Sequence, residues 1–429
     1  KQDEKNKKVK ISGFWGDKTV TLNFNEEINF LIGLNGSGKT TMINLIAAAL
    51  KADFSTLDKF QYEKIRIDFF PINKSDKCYI EVEKVDKEDS PYPSIIFKIK
   101  PSAKEKIKTF NLNELEEEHL FRYPKEYIVH RRKRLSGNIA RDIHIALAEF
   151  VNLTWLSIHR KNDFNKGDDS YESSIDQKIK ELSSDLVKYF GILDKSYSTE
   201  TEKFQKNIFL SLIKDDSTED VLSISSGLNS ETEKEALKEI FLLFGLKEKE
   251  FSEKLDNYFK NFENATKKFE DKKPDVNLSD LGALIGTRRI HTIVQEWNLL
   301  NKKKREINSP KHTFIQILNS LFQRKKIFIN VRNELLVETQ SKKIFPLTKL
   351  SSGEKQLLII LGQSLLQENR NHIYIADEPE LSLHVEWQEK LVTSLRNINS
   401  NSQIIFATHS PDIVGSFSDS VIQVEEVIK

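Results

Sequence analysis

Much of what a chain of 429 residues could be is removed by what this one has little of. It contains a single cysteine, Cys78, which excludes a disulfide framework and any cysteine-built zinc site within the chain. No apolar run approaches the roughly 18 residues of a membrane-spanning helix. The opening stretch, Lys1 to Lys10, is basic and polar, with none of the apolar centre of a signal peptide. Net charge of one sign is also missing: 66 basic against 65 acidic residues leave a formal +1, so nothing global selects nucleic acid or a membrane surface. The expectation from these absences is a soluble, cytoplasmic protein without a membrane part. What is plentiful is charge of both signs, 31% of the residues, above the usual quarter and in keeping with long solvated helices. At 38% hydrophobic residues the length suffices for one large core or two smaller ones.

Periodicity divides the chain in three. The first eight residues read as a disordered tail. Val9–Phe14 and Thr19–Phe24 alternate apolar and polar like half-buried strands, and Ile28–Ile32 is more continuously apolar, like a buried one. A helix is expected from Lys39 to about Leu50, with strands again at Ile65–Phe70, Tyr79–Val85 and Ile95–Ile99. From 161 to 341 the pattern becomes mainly helical. One stripe runs through Tyr171, Ile175, Ile179, Leu182, Leu186 and Phe190, and others through Ala236–Phe244, Phe251–Phe262, Ile290–Trp297 and Phe314–Leu321. The stripes are broken by polar residues and are too irregular for a sustained heptad repeat, leaving room for a short coiled-coil hairpin at most. Strands resume at Ile327–Val331 and Leu335–Glu338. Residues 342–429 then alternate helix with short apolar strands at Ile373–Ala376 and Ile404–Ala407, the pattern of a parallel sheet.

Chemistry sits at the ends of these strands. Gly33-Leu34-Asn35-Gly36-Ser37-Gly38-Lys39-Thr40 follows an apolar strand and opens a helix, as a phosphate-binding loop must. Glycine lets backbone N–H groups of Asn35 to Thr41 wrap a phosphate, the helix N-terminus adds its dipole, Lys39 adds charge, and the Thr40 hydroxyl suits Mg²⁺. Ser351-Ser352-Gly353-Glu354 opens a second helix, with Ser351 as its cap, and forms another phosphate-binding surface. Ile373–Ala376 ends in Asp377-Glu378: the first carboxylate suits Mg²⁺ through water, the second suits a general base for an attacking water. Ile404–Ala407 ends in Thr408-His409, an imidazole able to bond a γ-phosphate. Asn73-Lys74-Ser75-Asp76 matches a guanine-reading tetrapeptide but comes too early after the loop and reads as a turn.

In this order the motifs resemble the ABC ATPase superfamily over residues 9–160 and 342–429. Ser351–Gln356 and Pro379-Glu380-Leu381-Ser382-Leu383-His384 are similar to the branch holding the OLD nucleases and related ATPases of phage defence. The resemblance implies an α/β fold: an ABC-type P-loop ATPase head, a mixed β lobe plus a parallel-sheet lobe, split by a helical insertion. The three parts are 1–160, 161–341 and 342–429. It implies ATP and Mg²⁺ as cofactors and hydrolysis by Glu378 with His409. It further implies a homodimer or higher oligomer in which Ser351, Ser352, Gly353 and Glu354 face ATP held by the other copy. The glutamine usual in such heads has only Gln61 as a candidate, and Arg160 is a possible polar contact.

No Toprim, HNH or Asp-x-Asp cluster is recognisable, so a nuclease activity would belong to a separate effector, as in the ATPase subunits of PARIS, Septu and Septu-like retrons. A phage protein or nucleic acid would be the trigger. His130-Arg131-Arg132-Lys133-Arg134 and Lys302-Lys303-Lys304-Arg305 could touch phosphates or an acidic partner, or be solvated faces. A Rad50/SMC-like repair ATPase is the alternative, though it calls for a long heptad insertion with a hook or hinge. A transporter subunit fits less well, because its signature would read Leu-Ser-Gly-Gly-Gln and an aspartate would stand at His384.

Overall fold

The structure is a computed structural model and describes residues 5–70, 78–85, 93–102, 104–111, 139–148, 151–156, 174–211, 229–270 and 278–429. The Asn73–Asp76 turn, the basic cluster His130–Arg134, Arg160 and Tyr171 lie outside them. The chain forms two compact units, Lys1–Val187 with Thr313–Lys429, and Lys188–His312.

In the larger unit, β1 (Asn6–Phe14), β2 (Lys18–Asn23), β4 (Lys64–Phe69), β5 (Tyr79–Val85), β6 (Ser94–Lys100) and β7 (Lys108–Asn111) form an antiparallel sheet of order β2-β1-β4-β5-β6-β7. The second sheet is wholly parallel, built from β3 (Ile28–Ile32), β8 (Leu153–Leu156), β12 (His372–Asp377), β13 (Ser402–Ala407) and β14 (Val421–Gln423) in the order β14-β3-β13-β12-β8. Between the sheets runs α1 (Lys39–Lys51), in contact with β4 and β5 on one side and β8, β12 and β13 on the other. That position explains its sequence. Met42, Ile43, Leu45 to Leu50 are all buried, so the helix is apolar nearly all round rather than striped. Helix α2 (Phe54–Lys59) follows it. Strands β9 (Lys325–Ile329), β10 (Leu335–Thr339) and β11 (Ile344–Pro346) make a small antiparallel sheet.

The tail expectation needs correcting: β1 already begins at Asn6, inside the first eight residues. Asn6 is fully buried because its backbone N–H and C=O pair with the Gln403 side-chain amide at 2.8 and 2.7 Å. A glutamine side chain there does the work of a neighbouring strand and holds β13 against the antiparallel sheet.

The described residues of the smaller unit are mainly helical. That unit contains most of α3 (Ser174–Ser211), α4 (Ser230–Leu243), α5 (Glu248–Glu270) and most of α6 (Leu278–Leu321). α3 and α6 run antiparallel: Lys311 lies over Phe190, Lys303 pairs with Glu200 at 2.6 Å, and the rings of Phe204 and Trp297 are 5.6 Å apart. Phe204, Leu237, Ile240, Phe251, Leu255, Phe259 and Trp297 form its core. The stripes at Ile290–Trp297 and Phe314–Leu321, read separately in the sequence, belong to one helix of 44 residues that passes through Pro310. Proline removes a helical N–H, and just before it the Asn308 amide donates to the Lys304 carbonyl at 3.1 Å. Lys303 and Lys304 of the second basic cluster face α3, one on Glu200 and the other over the Tyr197 ring.

Candidate nucleotide site

Strand order brings the motifs together. β13 lies between β3 and β12, so the loop after β3, the carboxylates after β12 and the histidine after β13 emerge side by side at the carboxyl edge of one parallel sheet. Such an edge is where open α/β sheets place ligands. The P-loop residues Asn35, Gly36, Ser37 and Gly38 follow β3, and Lys39, Thr40 and Thr41 open α1. Gly36 and Gly38 have φ of 82° and 94°, and Gly38 is the left-handed N-cap of α1. There is no room for a side chain at Gly38, where an added Cβ would come within 2.9 Å of the Trp15 ring and 3.1 Å of Phe14.

Lys39 is buried, and its ammonium donates to the carbonyls of Gly33 at 2.7 Å and Leu34 at 2.9 Å. Burial lowers its pKa, while Glu425, Glu378 and Asp377 pull it back up. Three carboxylates therefore face one lysine, a balance that favours adding a magnesium–phosphate group rather than a bare anion. The Thr40 hydroxyl donates to Asp377 Oδ1 at 3.1 Å, so a hydroxyl and a carboxylate oxygen sit together as hard oxygen donors. These are the atoms Mg²⁺ prefers, and the residues fit that ion.

Glu378 follows with φ of 48°, a left-handed conformation that costs a non-glycine residue of order 1–3 kcal/mol and recurs at functional sites. It is held there by its own N–H, which donates to the Ala407 carbonyl at 2.8 Å. His409 Nε2 stands 3.8 Å from Glu378 Oε1, and both side chains remain about one third exposed.

Ser351 caps α7 (Ser352–Leu365) in a full capping box. Its Oγ receives the Glu354 N–H at 3.4 Å, and its own N–H donates to Glu354 Oε2 at 2.8 Å. Lys325 of β9 also binds the Glu354 carboxylate, at 2.7 and 2.8 Å, and these contacts hold its pKa below the ordinary value despite burial. Glu354 is thus occupied in shaping the helix start, which leaves Ser351 and Ser352 exposed. Gly353 lies so close to Ser382 that an added Cβ would overlap its carbonyl oxygen. Among the described residues, the hydrogen bonds of Ser351 and Glu354 stay within the cap and with Lys325, and none reaches the P-loop.

The sequence matches the AAA_15 family, an AAA ATPase domain, over residues 5–414. The chain belongs to that ATPase family. The "Retron Vc95 probable ATPase" of Vibrio cholerae serotype O1 biovar El Tor is 36% identical over 86 residues, which cover 18% of this chain and only 17% of that protein's length. Among solved structures, the Smc head domain of Pyrococcus furiosus with an extended coiled coil, bound to the C-terminal domain of ScpA, aligns with 99% of this chain and 97% of its own at 15% identity and a TM-score of 0.44. The SMC head domain from Thermotoga maritima aligns over 97% and 92% at 10% identity and a TM-score of 0.34. These superpositions are loose, so the fold rests on the sheet topology above. That topology is an α/β P-loop ATPase head.

Three residues of this ATPase edge make contacts that their place in the sequence does not announce. Trp15, in the turn between β1 and β2, has φ of 58° and a 44% exposed indole lying over the P-loop glycine. An exposed tryptophan beside glycines was its only signal. Glu425, in α9 (Val424–Val427), accepts the Leu34 N–H at 2.7 Å, and that bond keeps its carboxylate ionised below the usual range. Nothing local marks it. Glu380 is buried against Thr408 and His409. Gln61 packs beside Gly16 in the Trp15 turn. His384 caps α8 (Val385–Ile398) by accepting the Glu386 N–H on Nδ1 at 3.4 Å, a bond an aspartate could equally accept. No helix of the described residues is long and apolar enough to cross a membrane.

Proposed function

We propose that this ATPase hydrolyses ATP at sites shared between two copies, and that it serves as the sensor of a phage-defence system that controls a separate effector. The observation that carries the shared site is the division of its parts. The P-loop, Asp377, Glu378 and His409 converge on one sheet edge, while Ser351 and Ser352 are exposed and, among the described residues, the Ser351 side chain bonds within its own cap. A second copy, arranged head to tail, would bring that cap to the γ-phosphate. The backbone N–H groups of Asn35 to Thr41 and Lys39 would hold the β- and γ-phosphates, and the Trp15 indole would offer a face to the base. Thr40 and Asp377 would hold Mg²⁺, which supplies charge stabilisation at the transferring phosphoryl group. Glu378 would take the proton of the attacking water, and His409 would bond the γ-phosphate.

The defence role is supported by the wording of the signature and of Pro379–His384, and by the name of the partial retron relative. The effector would be a Toprim or HNH nuclease, the trigger a phage protein or nucleic acid, and the compartment the cytoplasm. The domain reading that accompanies this is a head split by a helical insertion at 161–341. A Rad50- or SMC-like repair ATPase is the second reading, favoured by the antiparallel pairing of the long helices α3 and α6.

Mixing two inactive variants tests the shared site. Lys39→Ala disables the P-loop and Ser351→Arg blocks the cap, yet a mixed dimer retains one intact pair. About a quarter of the sites should therefore hydrolyse ATP in an equal mixture; a mixture as inactive as its components would refute the arrangement. Glu378→Gln, purified with ATP and its neighbouring gene products, should elute as a dimer or larger assembly with a nuclease bound. Elution alone or with DNA would favour the repair reading.

A further inference from the structure

Glu380 is a carboxylate where burial alone would not choose one. It is 8% exposed, its Oε2 has no hydrogen-bond partner among the described residues, and burial pushes its carboxyl above the usual range. Retaining such a group is costly unless its other oxygen performs a task. That oxygen, Oε1, accepts two bonds, one from the Thr408 hydroxyl at 2.5 Å and one from the His409 backbone N–H at 3.1 Å. The connection continues in both directions. Thr408 Oγ1 accepts the Ser410 N–H at 3.0 Å, Ser410 Oγ donates to Gln388 at 2.6 Å, and Gln388 donates to the Leu383 carbonyl at 2.9 Å. The turn carrying Glu378 and the turn carrying His409 are thereby stitched together at both ends. The Gln356 amide of the signature helix also reaches this turn, at the Pro379 carbonyl, 3.0 Å away.

We infer that Glu380 is the positioning residue for His409: by holding the Thr408 hydroxyl and the His409 backbone N–H, its Oε1 keeps the imidazole within reach of Glu378 and of a bound γ-phosphate. This rests on the reading of His409 as a γ-phosphate contact. Nothing in the β12–β13 pairing requires it, because that ladder ends at Asp377 and Ala407 and leaves the histidine beyond it. A residue that fixes reacting groups acts on turnover more than on ground-state binding.

The experiment is a double-mutant cycle read in kcat and KM for ATP, with fluorescent-ATP affinity and Tm measured alongside. Glu380→Ala should lower kcat roughly tenfold or more, with KM and ATP affinity near wild type. In a His409→Ala background it should cost nothing further, because both changes remove one interaction. Glu380→Gln, whose amide oxygen can accept the same two bonds, should restore most of kcat. Thr408→Val removes the hydroxyl partner at nearly constant volume and should reproduce the loss even if Glu380→Ala does not fold. Independent, additive losses in the two backgrounds would overturn the inference, as would a loss confined to KM and Tm. A His409→Ala protein with full kcat would instead remove the reading of His409, and the role of Glu380 with it.

Discussion

Acidification from about pH 7 to about pH 5 should weaken the larger unit through one side chain, His372. This residue opens β12, the strand that ends in Asp377. Its Nε2 lies 2.8 Å from the Thr154 hydroxyl of β8, and the Gln367 amide donates to that same hydroxyl at 3.2 Å. With Gln367 donating, the hydroxyl proton is free to point at Nε2, which must then be unprotonated. Burial pushes the imidazole pKa down to about 4, against about 6.5 in an unfolded chain. Between those values the unfolded chain binds a proton that the folded one refuses. Stability is therefore fully present above the unfolded pKa and is lost as pH falls, until the folded pKa is passed. The whole difference is about 3 kcal/mol, and about 2 kcal/mol of it should be gone by about pH 5. Urea unfolding of the wild type and of His372→Gln at both pH values isolates this contribution, since every other titrating group is common to the two. The wild type should lose about 2 kcal/mol more than the variant over that interval. Parallel losses, or an NMR titration of His372 near its ordinary pKa, would refute the reasoning.

Three other outcomes are expected. Lys39→Ala should abolish nucleotide binding in a fluorescent-ATP titration, and wild-type affinity would remove the P-loop assignment. Gly353→Ala must push the Ser382 carbonyl aside and should destabilise the protein by about 1–3 kcal/mol, seen as a lower Tm; an unchanged Tm would mean that the close approach relaxes freely. Trp15→Ala should weaken ATP binding by roughly 1 kcal/mol through lost stacking while leaving inorganic triphosphate binding unaltered, and equal effects on both ligands would exclude a base contact.

The site motifs were legible because each is local: an apolar strand, then a few residues whose types announce phosphate, metal or proton chemistry. Gly33–Thr40, Asp377-Glu378 and His409 all stand at strand ends where periodicity placed them. What could not be read was their adjacency. It depends on β13 lying between β3 and β12, a parallel pairing between segments far apart in the chain. The helical pattern was likewise visible, but its continuity was not, because polar residues part the stripes at Ile290–Trp297 and Phe314–Leu321 while the helix runs on through Pro310. Asn6 reads as tail because its partner is a side chain, Gln403, and no alternation in β1 could reveal that. Glu380 and Glu425 matter only through three-dimensional contacts, and Trp15 only through the loop it covers.

The late arrival of β13 has a consequence during synthesis. Asn29 of β3 is bonded to Ile404, 375 residues further on. At roughly 5–20 residues per second the ribosome needs on the order of 20–75 s to cover that interval. During this time β3 has neither of its parallel neighbours, since β14 follows β13. The nascent P-loop strand thus offers two unpaired edges, an invitation to misassociation, and nucleotide cannot yet be held by residues that do not exist. A chaperone that shields the early antiparallel sheet and α1 would raise yield more than added ATP would. Slowing translation within the helical segment should lower yield, because it lengthens the interval in which those edges stay open.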